Sequence, residues 1–517
     1  MSSSAPQLGA KQQLAKQQLS GWWLLLILLF AFCLRLSAAG YWQQLAATEG
    51  RLFRLGDSHS YWTLAHQLGD GLPYQYESPE SRIFRAPLYP LVLAPLTRFP
   101  DPATGVWWAR VLGCLLGTVV VAEVAWLAAR LGGSSAAVVA SALAAIYPSA
   151  IGMSIIVLSE AIFMPLMLGH VLLWQSAWQA QRVAPRWTFA LLAGAVAGAA
   201  VLARPSWLLF IPFVWTLGVI YQVASSLGAL LRPNILHNVK LDRARYRSAW
   251  AGMLRGGFKR RVMGSWLGER SEERDDSESR ATISLHTQLA IGSLLGLSLV
   301  MSPWWVRSAA ITGRFIPTTL QVGPSLLDGL HAGASGASDE DMAFMQAMLA
   351  EQLEHDRQQS APLVSTLEYR LNARAQAAAV HWAKQHPAEV LALAVRKFQR
   401  IWTLWPDGGD INSTSMRLAL TLSSFSVLLL AIGFSWRQRA KISWVYAILW
   451  VPSLYFTLLH MVFVGSVRYR EPALIVLVAV AGCALARLLR YPVAGNESLS
   501  SDRVDGIAPS SSVRSDR

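Results

Sequence analysis

Residues 55–74, LGDSHSYWTLAHQLGDGLPY, set Asp57, Asp70, His59 and His66 directly after a long apolar run. A carboxylate so placed suits proton transfer, and a positioned acid or base contributes about 10²–10⁴ in rate. Position alone also allows a plainer role for Asp57, as the N-cap of a following helix. It lacks the capping-box partner, because Ser60 stands where Glu or Gln would. The two roles are compatible, since a capped carboxylate is held rigidly. His59 and His66 are two helical turns apart rather than at the i, i+4 spacing of a helical metal pair, so they read as surface histidines.

Cations accompany the acid. Arg35 lies late in the first apolar run, where an arginine either snorkels or faces a polar cavity. IFRAPLYPLVLAP (83–95) holds Arg85 beside two prolines, and VGSVRYREPALIVL (464–477) holds Arg468 and Arg470 together. A guanidinium suits a phosphate, which it grips through two parallel hydrogen bonds. Glu160 in VLSEAIFMP and Arg204 in LARPSWLL stand at the ends of apolar runs, as helix-end charges or as ligands.

The elements that must position these residues are membrane helices. The chain has 517 residues, of which 53% are hydrophobic and 15% charged. Its apolar runs do not alternate with polar residues, which excludes a barrel and leaves helices. Candidate spans fall near 21–39, 105–129, 134–150, 153–176, 187–203, 206–228, 285–303, 414–434, 443–463 and 472–489. The expected fold is therefore an all-α integral membrane bundle of about ten spans, within roughly nine to thirteen. Cys33, Cys114 and Cys483 all lie in apolar runs and read as small hydrophobes, and the 22 tryptophans as interfacial belts.

The first span follows Lys11 and Lys16 and is expected to stay as an anchor with its N-terminus inside. Threading from there puts the Arg-rich loops in the cytoplasm, so the net charge of +14 reads as inside bias and not as nucleic-acid binding. Five parts result: a flexible N-terminus (1–20), an N-terminal membrane part (21–228) with an outer loop (40–104), a basic cytoplasmic insert (229–284), a C-terminal membrane part (285–490) with a second outer loop (304–413), and a disordered cytoplasmic tail (491–517). Interfacial helices are expected at 58–68 and within 386–406, on apolar spacing.

The order of these features resembles the polytopic glycosyltransferases of the GT-C fold. The likeness lies nearest the branch of protein O-mannosyltransferases and the lipid A aminoarabinose transferase. It rests on GDSHSYWTLAHQLGDGLPY, RAPLYP, IYPSAIGMSIIVLSEAIF, LARPSWLLFIP, SPWWVRSAAITGRFIPTTLQVGPSLLDGLHAG, HPAEVLALAVRKFQRIW and RYREPALIVLVA, and covers about 20–490 apart from the 229–284 insert. The resemblance implies an enzyme of a bacterial inner membrane whose site faces the periplasm or exterior. It would take a polyprenyl-phosphate sugar from the membrane lipid phase and pass the sugar to a glycan, lipid or protein acceptor. Asp57 maps to the catalytic position, with Arg85, Arg468, Arg470 and Arg35 on the donor phosphate. Many relatives carry Glu directly after that Asp, whereas here Ser58 follows. A second carboxylate must then come from Glu77, which is favoured, or from Asp70, Glu80 or Glu160. A divalent metal cofactor is left open for the same reason. The competing readings are a transporter or flippase of a lipid-linked glycan, which would commonly show internal repeats, and a noncatalytic scaffold.

Overall fold

The computed structural model describes residues 5–76, 78–230, 270–339, 343–359, 363, 365–406, 413–439 and 443–490. No strand occurs among them. The N-terminal membrane part is built from α1 (Ala5–Thr48), α2 (Gly56–Gly69), α3 (Leu88–Leu93), α4 (Pro102–Ile146), α5 (Pro148–Ile155), α6 (Glu160–Gln179), α7 (Val183–Ala203) and α8 (Phe210–Leu230). The C-terminal part holds α9 (Arg270–Thr312), α10 (Val322–Gly329), α11 (Ala343–Gln358), α12 (Leu367–Gln385), α13 (Pro387–Trp402), α14 (Thr414–Gln438), α15 (Trp444–Ala447), α16 (Val451–Val462) and α17 (Val467–Arg490). Among the described residues, eight helices are long and apolar enough to cross a membrane.

The expected count of about ten is recovered once α4 is seen to be two passes. At Gly133 the backbone leaves helical geometry with φ of 75°, a conformation that costs glycine little. Gly117 and Ala144 lie on either side of that break, yet both meet Arg35: a Cβ on Gly117 would sit 2.9 Å from its Nε, and Nη2 donates to the Ala144 carbonyl at 3.1 Å. In a straight helix those residues would be about 40 Å apart. The chain therefore folds back at Gly133. The pair α15 and α16 covers the span expected at 443–463.

Two expectations need correction. The spans placed at 134–150 and 153–176 are not separated by a short loop. Tyr147 is extended ahead of Pro148, α5 follows, and the chain unwinds again before α6 begins at Glu160. The helix expected on the membrane surface at 58–68 instead buries Tyr61, Trp62, Leu64 and Ala65 against the bundle. Of the expected insert, 231–269 lies outside the described residues, as does the tail 491–517, and 270–284 is helical.

Packing follows what lipid permits. Between helices of equal apolarity the gain comes from close approach, so small residues gather at contacts. Gly194 and Gly198 of α7 rest on the α9 backbone at Ser293 and Leu297, while Gly292 and Gly296 of α9 rest on Ala190 and Leu191. The Ser293 hydroxyl donates to the Ala190 carbonyl at 3.1 Å. Helix α17 is buried all round from Ala473 to Ala481, which makes it the central strut. Trp22, Leu299, Val306, Leu429 and Trp436 face outward from other spans, as lipid-facing residues do.

Alternating passes bring one set of helix ends to the same face: the ends of α1, α7, α9 and α16, and the starts of α4, α6, α8, α14 and α17. Helices α2, α3 and α10 to α13 cover that face.

Candidate active site

Asp57 sits in the first turn of α2, where the helix N-terminus favours a carboxylate. It is not the cap. Leu55 holds that position and no side chain caps the helix. The carboxylate is turned to two arginines instead. Arg85 Nη2 donates to Oδ1 at 2.6 Å and Arg468 Nη2 donates to Oδ2 at 2.6 Å. Burial by itself would raise the Asp57 carboxyl, but the guanidiniums of Arg85 and Arg468 overcome it and hold the group well below the usual carboxylate range.

Each arginine arrives from a different part of the chain and is fixed by further contacts. Arg85 lies in the connector after α2, between the Tyr61 and Phe84 rings at 5.2 and 5.0 Å. Its Nη1 donates to Gln321 Oε1 at 3.2 Å. Burial opposes the charge on Arg85, but Tyr61 and Asp57 more than offset it and raise its pKa. Its backbone is held as well: Tyr74 donates its hydroxyl to the Arg85 carbonyl, and three residues upstream Glu368 of α12 accepts the Arg82 and Ile83 amides at 2.9 and 3.0 Å. Arg468 stands in the first turn of α17, reached through a turn at Gly465. The amide of Gly465 donates to the Gly336 carbonyl at 2.8 Å, and a Cβ there would strike the Lys397 backbone.

A second acid completes the cluster. Glu160, fully buried at the start of α6, pairs with Arg204 at the C-terminal end of α7 and lies 2.8 Å from Arg468 Nε. Ser159 donates to its Oε2 at 3.3 Å and receives the Tyr61 hydroxyl at 3.1 Å. The Tyr469 ring lies beneath both the Arg204 and Arg468 guanidiniums, at 5.3 and 5.6 Å, and stacks on His460 at 4.1 Å. Arg85, Arg204 and Arg468 against Asp57 and Glu160 leave one formal positive charge. Asp57, Arg85, Arg204 and Arg468 line a cavity of about 2070 Å³ that opens at this end of the bundle and extends along apolar residues such as Leu208, Leu459, Met416 and Leu420.

The other residues singled out in the sequence lie elsewhere. Arg35 is a strut: it donates to the carbonyls of Ala31, Ala144 and Ala145 and to Ser154 Oγ, and is absent from the cavity wall. Arg470 is likewise buried behind the wall, donating to the Ile401 carbonyl at 3.0 Å and to that of Thr403. Asp70 caps the far end of α2 and pairs with His66 at 2.9 Å, about 20 Å along the helix from Asp57. Glu80 is exposed. Glu77 lies outside the described residues.

Sequence reasoning passed over Gln321, Tyr469, Glu368 and Lys397. Lys397 lies within 386–406, on the helix expected there. It is wholly buried, donates to the Val462 carbonyl at 2.7 Å, and is pushed down to about 8 by burial. Tyr469 lay in plain view between Arg468 and Arg470, and an aromatic flanked by arginines is a signal for cation–π stacking. Among the described residues no group of three or more His, Cys, Asp or Glu gathers as a metal set. Both oxygens of Asp57 are engaged by guanidiniums, an arrangement suited to exchanging one anion for another and not to holding a divalent cation.

Comparison with known proteins places this geometry in context. Residues 97–237 match the family model of dolichyl-phosphate-mannose-protein mannosyltransferase. That match meets the resemblance read from the sequence. No curated protein matches the chain. Among solved structures, the chain is similar to the oligosaccharyltransferase AglB of Archaeoglobus fulgidus in complex with an inhibitory peptide and a dolichol-phosphate. The identity there is 12% and the TM-score 0.48, over 91% of this chain and 50% of that one. It is also similar to ArnT of Cupriavidus metallidurans bound to undecaprenyl phosphate, at 13% identity and a TM-score of 0.37, over 90% of this chain and 78% of that one. The chain thus spans about half the length of the archaeal protein it matches.

Proposed function

We propose that the chain is a membrane glycosyltransferase that moves a sugar from a polyprenyl-phosphate donor to a hydroxyl or amine on a lipid, glycan or protein. The observation that carries this reading is the Asp57 carboxylate bracketed by Arg85 and Arg468 on the wall of a large, mainly apolar cavity that Arg204 also lines. The family match supports the same chemistry. An apolar channel leading to a cluster with one surplus positive charge suits a lipid phosphate.

In the reaction, the acceptor heteroatom attacks the anomeric carbon. The bond from that carbon to the phosphate oxygen breaks, the sugar leaves the donor, and polyprenyl phosphate departs. The acceptor proton passes to Asp57. Gripped by two arginines, Asp57 is a weak base, because basicity falls with pKa. The donor phosphate relieves this by competing for the same guanidinium hydrogens. As Arg85 and Arg468 turn toward it, the carboxylate recovers basicity where the proton must be taken, and the arginines stand ready for the charge that builds on the leaving group.

We infer further that the cavity opens to the periplasmic or exterior side of a bacterial inner membrane. The opposite end of the bundle carries Arg130, Arg182, Arg186, Arg437 and Arg439, as cytoplasmic ends do. Cysteines at Ser78 and Gln181 in a cysteine-free background should label from opposite sides, the first from outside, and labelling of both from one side would overturn this orientation.

The deciding experiment is mass spectrometry of lipids and envelope glycans from cells with and without the gene. Loss of one sugar from an acceptor together with build-up of its polyprenyl-phosphate form is the expected result. Accumulation of a lipid-linked glycan on the inner side, with transfer intact, would identify a flippase instead.

A further inference from the structure

The reading above supplies a base and a phosphate clamp, but nothing in it recognises the sugar. Glu471 occupies the place where such a group would be needed. It lies three residues beyond Arg468 on α17, and side chains at that spacing share one helix face about 5–6 Å apart. The side chain is 4% exposed, and the residue forms part of the wall of the same cavity together with Ser149 at the start of α5. Tyr147 donates its hydroxyl to Glu471 Oε2 at 3.0 Å and also meets Ser424 Oγ at 3.3 Å. The other oxygen, Oε1, is buried 3.5 Å from Arg470 Nε without a well-formed hydrogen bond to it, and Ser149 comes within reach of the same carboxylate.

An acid in the membrane part of a chain is costly, and a buried carboxylate oxygen without a well-formed hydrogen bond needs a reason to persist. As a structural tie Glu471 is incompletely used. As a receptor for hydroxyl groups it is well equipped: a carboxylate accepts from adjacent hydroxyls, and the neighbouring serine both donates and accepts. The distance fits as well. One helical turn from the phosphate-clamping Arg468 is about the span from a glycosyl phosphate to the far hydroxyls of its ring.

Resting on the transferase reading, we propose that Glu471, with Ser149, forms the subsite that binds the hydroxyl groups of the donor sugar and so sets which sugar is transferred.

The test compares two ligands on purified full-length protein in detergent: undecaprenyl phosphate, and a panel of undecaprenyl-phosphate hexoses and pentoses. Wild type should bind one panel member more tightly than the bare lipid phosphate. Glu471→Gln, which keeps size and the Tyr147 bond, and independently Ser149→Ala should each weaken that preferred ligand by at least about tenfold, the worth of one hydrogen bond to a charged group. Binding of undecaprenyl phosphate should stay within twofold. Equal weakening of both ligands in both variants would make Glu471 a structural or phosphate-site residue and overturn the proposal. Unchanged binding of both, or no panel sugar preferred by wild type, would overturn it too. Arg468→Ala serves as the control for the underlying reading: it should weaken both ligands together, and if bare lipid phosphate is not bound at all, the transferase reading fails first.

Discussion

Of the arginines near the apolar boundary of this chain, four form two pairs that differ in what receives their hydrogens. Arg35 and Arg470 donate mainly to backbone carbonyls at helix ends, at Ala144, Ala145, Ile401 and Thr403. Arg85 and Arg468 each place a nitrogen 2.6 Å from the carboxylate of Asp57. A carbonyl tied into the fold cannot leave, so the first pair is mortar. A carboxylate at a cavity wall can be outcompeted by another anion, so the second pair is available for ligand binding. The partner, more than the arginine, decides the role.

The strongest challenge to that contrast is Asp57→Asn. Because Leu55 and not Asp57 holds the cap position, Asn, which keeps an acceptor for the guanidiniums, should fold well, whereas Ala leaves Arg85 and Arg468 without their shared partner and should be the less stable variant. Turnover should drop by at least about 10² in both. Near wild-type turnover in the Asn variant of purified enzyme would remove Asp57 from the chemistry and reduce it to an organiser of arginines.

Replacing a member of the mouth pair should act on the donor. Arg468→Ala is expected to raise the donor KM by about 10–100-fold, in line with about 1.5–3 kcal/mol for a hydrogen bond to a charged group. Lysine should restore only part, lacking the planar fork. The buried pair should show the opposite pattern. Arg35→Ala leaves carbonyls unsatisfied at about 1–3 kcal/mol each and should cut folded yield and thermal midpoint, while the protein that does fold keeps its donor KM. A raised KM with intact stability in Arg35→Ala would erase the distinction between the pairs.

A smaller effect is expected where the outer helices grip the mouth. Burial pushes Glu368 up to about 7, although the Ile83 and Arg82 amides favour its charge. Its folded pKa thus exceeds its unfolded value, so its contribution to stability is fullest below about pH 4.5 and declines as pH rises toward 7. The thermal midpoint of wild type should fall modestly over that window, and Glu368→Gln should flatten the fall. A midpoint that declines equally in both proteins would assign the pH dependence to other groups.

How much of this was legible in the sequence follows from the same contrast. Charges are conspicuous against apolar runs, so Asp57, Arg85, Glu160, Arg204 and Arg468 could be picked out. Their convergence followed from threading the spans, because alternate passes must return to one face. What a linear pattern hides is the acceptor. Arg35 and Arg470 looked no different from Arg468, since carbonyls carry no signature in sequence. Lys397 and Glu368 were hidden for a related reason: on α13 and α12 they resemble solvent-facing charges, and only tertiary burial sets them apart. The break at Gly133 falls in the gap expected between 105–129 and 134–150; the spans failed instead at Pro148, where the chain changes direction inside an apolar run and hydropathy has no contrast to offer.

The pairing of Asp57 with Arg468 also has a consequence in time. The partners are 411 residues apart, and Arg468 arrives on α17, the last of the described helices. At about 5–20 residues per second, the ribosome takes roughly 20–80 s to bridge that gap. Through that interval the nascent chain has its acid and one arginine in place but not the second jaw of the clamp. A chain stalled before α17 therefore lacks Arg468 and cannot close the clamp on Asp57, so the order of synthesis makes closure of the clamp a late event in biogenesis.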